Sequence, residues 1–366
     1  MKIKIKKLLF SITNLEIGGA EKVLVSLVNE LKNKYDITVL TLYGEGSLLE
    51  KVNDSVKVKS VFSKPYEKLN FFTKKMIGLF IKIPFLRKKI FFKYATGYDV
   101  VISFLEGPIT EILQDIPCKK IAWIHTDLSK HYGKKKYKSL INMYNKYDSL
   151  VFVSEISMDG FLSIDKENKC FSNKTVIHNF VDANYIKKQS LEKMDVVYSD
   201  SKNFVVVARL VKPKGIDRLM KVHKRLIDEG LIHHIYVVGD GPLRDSLNDL
   251  LNYYDISSTF HLLGARSNPY PYILKADYFL LPSYYEGYPV SVIEAEILNK
   301  FILVTDTACK EVIKNYPNKM IFSNDEDGIY KGMKTIMKRK DSLVKPYIVK
   351  DNDEILKQIS DLIEEE

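Results

Sequence analysis

Residues 8–41, LLFSITNLEIGGAEKVLVSLVNELKNKYDITVLT, decide the fold. Residues 8–12 are an apolar, β-prone run, and Gly18-Gly19 permit a tight turn. Residues 21–32 then set Val23, Leu24, Leu27, Val28 and Leu31 on one helical face, and residues 37–41 return to a β-rich run. Strand, turn, amphipathic helix and strand make a βαβ unit, whose strands lie parallel in a sheet covered by helices. The rhythm continues outward, with further strands predicted at 56–61, 99–104, 120–124, 150–153 and 175–177. Residues 182–202 are polar and charged and read as an interdomain linker. A second series then predicts strands at 203–207, 234–238, 259–262, 278–281 and 301–304, and residues 353–365 read as an acidic helix. The expected architecture is α/β, with two doubly wound Rossmann-like domains at residues 1–183 and 200–345. The C-terminal helix, about 346–366, reads as packing back on the first domain. In such folds ligands sit at the carboxyl ends of strands, so the strand-to-helix loops carry the chemistry.

The length of 366 residues agrees with two domains, and a hydrophobic content of 46% supplies a core for each. The net charge of +10 favours anionic partners: nucleic acid, an anionic membrane surface or phosphorylated substrates. A nucleic-acid reading has only charge and aromatic content behind it, with no recognition motif, and no nucleic-acid partner is expected. Cys118, Cys170 and Cys309 form no C-x-x-C pair, which argues against a zinc site or disulfide framework and fits a reducing compartment. The opening MKIKIKKLLFSI has a basic head, but its apolar run is shorter than the roughly 7–15 residues of a signal-peptide core. A first buried strand is the expectation, in a protein that is soluble or at most peripheral to a membrane.

Four loops stand out. Gly18-Gly19-Ala20-Glu21 opens the first helix, where a helix N-terminus offers unpaired N–H groups; a plain tight turn explains it as well. Ala208 to Gly215, ARLVKPKG, puts Arg209 and Lys214 at a strand end, a planar fork and a point charge that suit a diphosphate. The alternative there is a solvated basic loop. Gly239-Asp240-Gly241-Pro242 is a glycine turn short of a dinucleotide fingerprint, and an αβ turn is an equal reading. The fourth, PSYYEGYPVSVIEA at 282–295, holds Glu286 in the loop and Glu294 inside the following helix. Two carboxylates there could accept hydrogen bonds from separate sets of sugar hydroxyls. The N–H groups of Val290 and Ser291, after Pro289, would face an anion.

In these residues, and in Val153-Ser154-Glu155 and the stretch 176–182, VIHNFVD, the chain resembles the retaining glycosyltransferases of family four, which have the GT-B fold. The resemblance runs nearly the full length and implies two Rossmann-like domains facing across a cleft. It implies that Arg209 and Lys214 bind the donor diphosphate, Glu286 the donor sugar and Glu294 the ribose. It also carries donor-binding roles to Gly18, Gly19, Gly239, Gly264, Arg266, Gly287, Tyr288, Pro289 and Val290, with Arg266 packing near the base. His125 matches a histidine beside the transferred sugar and joins Arg209, Lys214 and Glu286 as a catalytic candidate. Such enzymes need no bound metal or cofactor; the nucleotide-sugar, by default a UDP-sugar, is the substrate. Residues 306–311, DTACKE, depart from the family's glycine-containing turn, although Glu311 fits.

Residues 64–93 mix nine Lys and Arg with many Phe, Ile and Leu and a single Glu, and a second basic patch lies at 130–138. One reading is an amphipathic surface in an anionic membrane interface; the other is a helical cover on the sheet with a solvated basic face. A lipid-linked saccharide acceptor handled by the N-terminal half would account for both patches. The expected role is hexose or N-acetylhexosamine transfer in bacterial O-antigen, capsule or exopolysaccharide assembly, in the cytoplasm or at the inner face of the plasma membrane. A GT-B nucleotide-sugar epimerase and a non-catalytic nucleotide-sugar-binding protein are the alternatives.

Overall fold

Thirteen strands appear among the residues described by the computed structural model, which are 5–66, 68–167, 169–339, 344–347 and 352–365. The first seven are β1 (Lys7–Ile12), β2 (Asp36–Tyr43), β3 (Lys57–Phe62), β4 (Val100–Ser103), β5 (Lys119–Ile124), β6 (Ser149–Phe152) and β7 (Asn173–Val176). They lie in the order β3-β2-β1-β4-β5-β6-β7, with every neighbouring pair parallel. Leu8, Leu9 and Phe10 of β1 are wholly buried. A central parallel strand is covered on both faces, so its sequence is continuously apolar rather than alternating.

The remaining strands are β8 (Lys202–Val207), β9 (His233–Val238), β10 (Phe260–Gly264), β11 (Tyr278–Leu281), β12 (Phe301–Thr305) and β13 (Lys319–Phe322). Their order is β10-β9-β8-β11-β12-β13, again all parallel. Each sheet winds outward from its first strand and then returns to the other side of that strand. The reversals fall between β1 and β4 and between β8 and β11, where adjacent loops leave in opposite directions and open a crevice.

By internal contacts the chain divides into Met1–Phe180 with Asn352–Glu366, and Val181–Asp351. The C-terminal helix Asp353–Glu364 belongs to the first unit, with Ile359, Leu362 and Ile363 buried. Lys6 Nζ donates to the Ile363 carbonyl at 3.0 Å and Lys119 Nζ to that of Leu362 at 2.8 Å. Both lysines satisfy carbonyls that a helix end leaves without intrahelical partners.

The stretch 182–202 is not wholly linker. Asp182 accepts a hydrogen bond from the Tyr185 N–H and caps a helix, Ala183–Gln189, that belongs to the second unit. Only Ile186 of that helix is buried, so the sequence carries no apolar stripe to announce it. Residues 64–93 form two helices, Phe71–Lys82 and Pro84–Ala95, divided where Pro84 ends the first. Ile77 and Ile81 enter the core of the first unit, whereas Phe71, Phe72, Met76, Leu79 and Phe85 are exposed. The segment therefore covers the sheet and also presents an apolar, basic outer face. Among the described residues no helix is long and apolar enough to cross a membrane.

A chain of buried histidines fixes helix Ile216–Asp228 behind the second sheet. His233 Nδ1 lies 2.8 Å from the Leu231 carbonyl, His233 Nε2 lies 2.9 Å from His223 Nδ1, and His223 Nε2 lies 2.8 Å from Thr259 Oγ1. One set of neutral tautomers satisfies all three contacts: each ring donates from Nδ1 and accepts at Nε2. An added proton would set two donors against each other. Burial first, then the neighbouring rings, pushes His223 down to about 2; burial pushes His233 down to about 4. His125, His234 and His261 are shifted in the same direction, first by burial. A lowered histidine pKa means that the unfolded chain binds the extra proton, so this contribution is full above about 6.5 and is lost progressively as pH falls, toward 4 for His233 and toward 2 for His223. Urea unfolding should therefore give a free energy that drops from pH 7 to pH 5, and a flat or rising profile would contradict the neutral histidine chain.

Candidate functional site

The loops after β8 and β11 meet at the reversal in the second sheet. After β8 the backbone runs through Ala208 and Arg209 into a short turn, Lys212–Lys214, and then through Gly215 into helix Ile216–Asp228. Gly215 has φ +65°, and a Cβ there would lie 2.2 Å from the Pro282 carbonyl oxygen. Both the left-handed backbone and the close approach require glycine. Just inside the helix, Arg218 is 2% exposed and spans to the other loop. Its Nε and Nη2 donate to the Pro282 carbonyl at 3.0 and 2.7 Å, and Nη2 also donates to Asn324 Oδ1 at 2.7 Å. The guanidinium lies 3.9 Å from the Tyr284 ring centroid, a cation–π contact. The Tyr284 N–H donates to the Pro213 carbonyl at 2.7 Å, and Thr305 Oγ1 donates to that of Ser283 at 2.5 Å.

This frame brings Lys214 and Glu286 together. Lys214 Nζ donates to Glu286 Oε1 at 2.6 Å and Oε2 at 2.8 Å, and Ser283 Oγ donates to Oε1 at 2.6 Å. The Glu286 side chain is 7% exposed and that of Lys214 22%. A cation and a carboxylate thus sit beside each other at the carboxyl ends of β8 and β11, largely shielded from water. Arg209 is exposed on the same loop. Gly287 and Pro289 are buried and Tyr288 is half-buried, on the path from Glu286 to helix Val290–Ile297. No side chain caps that helix, which begins at Val290. Glu294 inside it is 1% exposed and hydrogen-bonded with the Tyr270 side chain.

Other expected residues have different neighbours. Gly239 donates its N–H to the Gly264 carbonyl at 2.9 Å, and a Cβ on it would lie 1.9 Å from the Ala208 carbonyl oxygen. It holds the turn after β9 against the backbone that carries Arg209. Arg266 is tied down, with Nη2 3.0 Å from an Asp195 carboxylate oxygen and Nε donating to Tyr272 Oη at 3.1 Å.

In the first unit Gly18 is the N-cap of helix Gly19–Leu31, with the Glu21 carboxylate folded beside it. His125 follows β5, its N–H donating to Glu106 Oε2 at 2.9 Å. Burial pushes the imidazole down to about 4, against the opposing pull of Glu106 and a hydrogen bond to the Phe104 backbone. The ring is neutral near pH 7. Its Nε2 is buried with no partner among the described residues, as is the neighbouring Thr126 hydroxyl. Glu106, Ser283 and Arg218 are site residues that the sequence reading passed over.

Residues 201–339 match the family described as "Glycosyl transferases group 1". An N-acetylgalactosamine-N,N'-diacetylbacillosaminyl-diphospho-undecaprenol 4-alpha-N-acetylgalactosaminyltransferase of Campylobacter jejuni is 26% identical over 363 residues, covering 93% of each chain. An uncharacterised glycosyltransferase of Methanocaldococcus jannaschii is 27% identical over 201 residues, 52% of this chain and about half (48%) of that protein. Among solved structures, Anabaena HepE in complex with UDP and glucose superimposes with a TM-score of 0.75 at 16% identity, covering 97% of this chain and 98% of that one. Two parallel-sheet Rossmann-like units of this kind define the GT-B fold. The chain has the GT-B fold, and its residues 201–339 form a group 1 glycosyltransferase domain.

The Arg218 frame makes a direct expectation. Arg218→Leu leaves the Pro282 carbonyl and Asn324 without their donor and should cost about 3 kcal/mol in urea unfolding, as should the strained and crowded Gly215→Ala to a comparable degree. Loss of less than about 0.5 kcal/mol from either variant, the range of ordinary surface substitutions, would remove the frame from the account.

Proposed function

We propose that the chain transfers a hexose or N-acetylhexosamine from a UDP-sugar to a lipid-linked saccharide, with retention of anomeric configuration and without a bound metal or cofactor. The observation that carries this reading is the Lys214 ammonium bonded to both oxygens of Glu286 at the β8/β11 reversal. A nucleoside diphosphate sugar presents a dianionic diphosphate beside a ring of hydroxyl donors. Lys214 and Arg209 supply the charge for the first, and Glu286 the acceptor oxygens for the second. The preference for UDP draws on the ligand named for the Anabaena protein, and the acceptor class on the name of the Campylobacter relative. Assembly of a bacterial surface polysaccharide is the setting that these fit. The exposed Phe71, Phe72 and Phe85 among lysines support peripheral contact with an anionic membrane from the cytoplasmic side, and three free cysteines accord with that compartment.

The chemistry follows from where charge develops. The bond from the sugar's anomeric carbon to the diphosphate oxygen breaks, and its electron pair leaves with the diphosphate. Lys214 and Arg209 stabilise that charge as a divalent cation would. The acceptor hydroxyl oxygen attacks the anomeric carbon from the same face, and its proton passes to the departing phosphate oxygen. Glu286, freed from Lys214 by the incoming diphosphate, accepts hydrogen bonds from sugar hydroxyls. Glu294 takes the ribose. His125, neutral, accepts a hydroxyl hydrogen bond at Nε2 rather than acting as a general acid.

Calorimetric titration with UDP, GDP and ADP tests the donor half. UDP should bind, Lys214→Ala should weaken it by about 2 kcal/mol, and Glu286→Gln should bind UDP yet abolish transfer. The acceptor, presented in phosphatidylglycerol vesicles that should co-sediment the chain, should yield a product whose anomeric proton coupling matches the donor. Absence of nucleotide binding to the wild type would overturn the reading, and an inverted product or a chain left in the supernatant would overturn its retaining or membrane part.

A further inference from the structure

Glu294 stands inside helix Val290–Ile297, buried, and a second helix, Tyr270–Lys275, packs against that one with Tyr270 at its first position. The Tyr270 side chain is buried as well, and its hydroxyl donates to the Glu294 carboxylate. Burial first, then the Glu294 charge, pushes the hydroxyl's pKa up, so it keeps its proton and remains a donor. A phenylalanine would fill the same space. What the hydroxyl adds is a partner for a buried charge, which is costly to leave uncompensated.

Tyr270 is itself held, and the clamp comes from the stretch that the sequence presents as linker. The Tyr270 N–H donates to Asn268 Oδ1 at 3.2 Å, and Asn268 Nδ2 donates to the Gln189 carbonyl and to Glu192 Oε2, each at 2.9 Å. Tyr185 meets the Tyr270 ring edge-on, with centroids 6.3 Å apart. Two residues further on, Tyr198 Oη donates to the Tyr272 carbonyl at 2.9 Å, and Tyr272 Oη donates to the Asp195 carboxylate. Helix Ala183–Gln189 also packs on both Tyr270–Lys275 and Val290–Ile297. Residues 185–198 thus fasten 268–272 beside the helix that carries Glu294, all within the second unit.

We propose that Tyr270 is a positioning residue for the nucleoside: it fixes the plane of the Glu294 carboxylate and so sets the preference for a ribonucleotide over its 2′-deoxy form. This deepens the transferase reading and rests on its assignment of the ribose to Glu294. A carboxylate has about four lone-pair sites, and Tyr270 takes one of them. The last torsion of a glutamate is broad, so an untethered carboxylate can turn to serve a single hydroxyl. One held by Tyr270 keeps its two oxygens set for two neighbouring hydroxyls. A site built to bond a hydroxyl rejects the ligand that lacks it, because its own polar groups are then left unpaired.

The test is calorimetric titration of the full chain with UDP and with 2′-deoxy-UDP, on the wild type, Tyr270→Phe, Glu294→Gln and the double variant. The wild type should bind UDP about tenfold more tightly than 2′-deoxy-UDP, as for one hydrogen bond to a charged group. Tyr270→Phe should bring the two affinities together by weakening UDP and leaving 2′-deoxy-UDP where it was. In the Glu294→Gln background the same substitution should change nothing further, since a residue that acts through another is not additive with it. A wild type that binds both ligands alike would overturn the proposal. So would a Tyr270→Phe chain that keeps the preference or weakens both ligands equally, as loosened packing would, or a further loss in the double variant. The two readings separate in the same titrations. No UDP binding by the wild type defeats the transferase reading itself, whereas UDP binding that depends on Glu294 but not on Tyr270 defeats this proposal alone.

Discussion

The Arg218 guanidinium, held between the Pro282 carbonyl and Asn324, is the interaction on which the second unit's site depends. At the β8/β11 reversal two loops leave adjacent strands in opposite directions, and nothing in a parallel sheet obliges them to stay in register. Arg218 binds one to the other from below, Gly215 permits the contact, and Tyr284 adds a backbone bond to Pro213. A buried cation is costly unless its donors are satisfied, and here carbonyl and amide oxygens and an aromatic face take up the guanidinium. Such a frame fixes side chains on its upper rim to within the tolerance that transfer chemistry needs.

The Lys214–Glu286 pair on that rim has a different character. Both groups are partly withdrawn from water, and desolvation offsets much of their attraction, so the pair adds little net stability. Its value is positional. In the proposed function, ligand charge would replace Glu286 as the partner of Lys214 and a sugar would replace Lys214 as the partner of Glu286, which the Ser283 hydroxyl tethers through Oε1. Such an exchange would cost little, because each charge leaves one partner for another rather than for an empty, low-dielectric space.

Much of this was legible in the sequence because the inner strands of a parallel sheet, buried on both faces, are short, continuous apolar runs, as β1, β8 and β11 are. The strand not predicted, β13, is an edge strand of four residues, KMIF, whose partial burial leaves little apolar pattern. The helix at Ala183–Gln189 escaped for the same reason, since one buried isoleucine makes no stripe. Lys214 and Glu286 could be singled out because their loops follow recognisable strands. Arg218 was not, because a basic residue in an amphipathic helix reads as solvated; only the loop 64 residues away reveals what it holds.

The most direct measurement is a crystal structure of the chain with an intact UDP-sugar bound. The account predicts diphosphate oxygens within hydrogen-bond distance of Lys214 Nζ and the Arg209 guanidinium, Glu286 turned from Lys214 to sugar hydroxyls, and Arg218 unmoved on Pro282. A donor bound away from the β8/β11 reversal, with Lys214 still on Glu286, would contradict it.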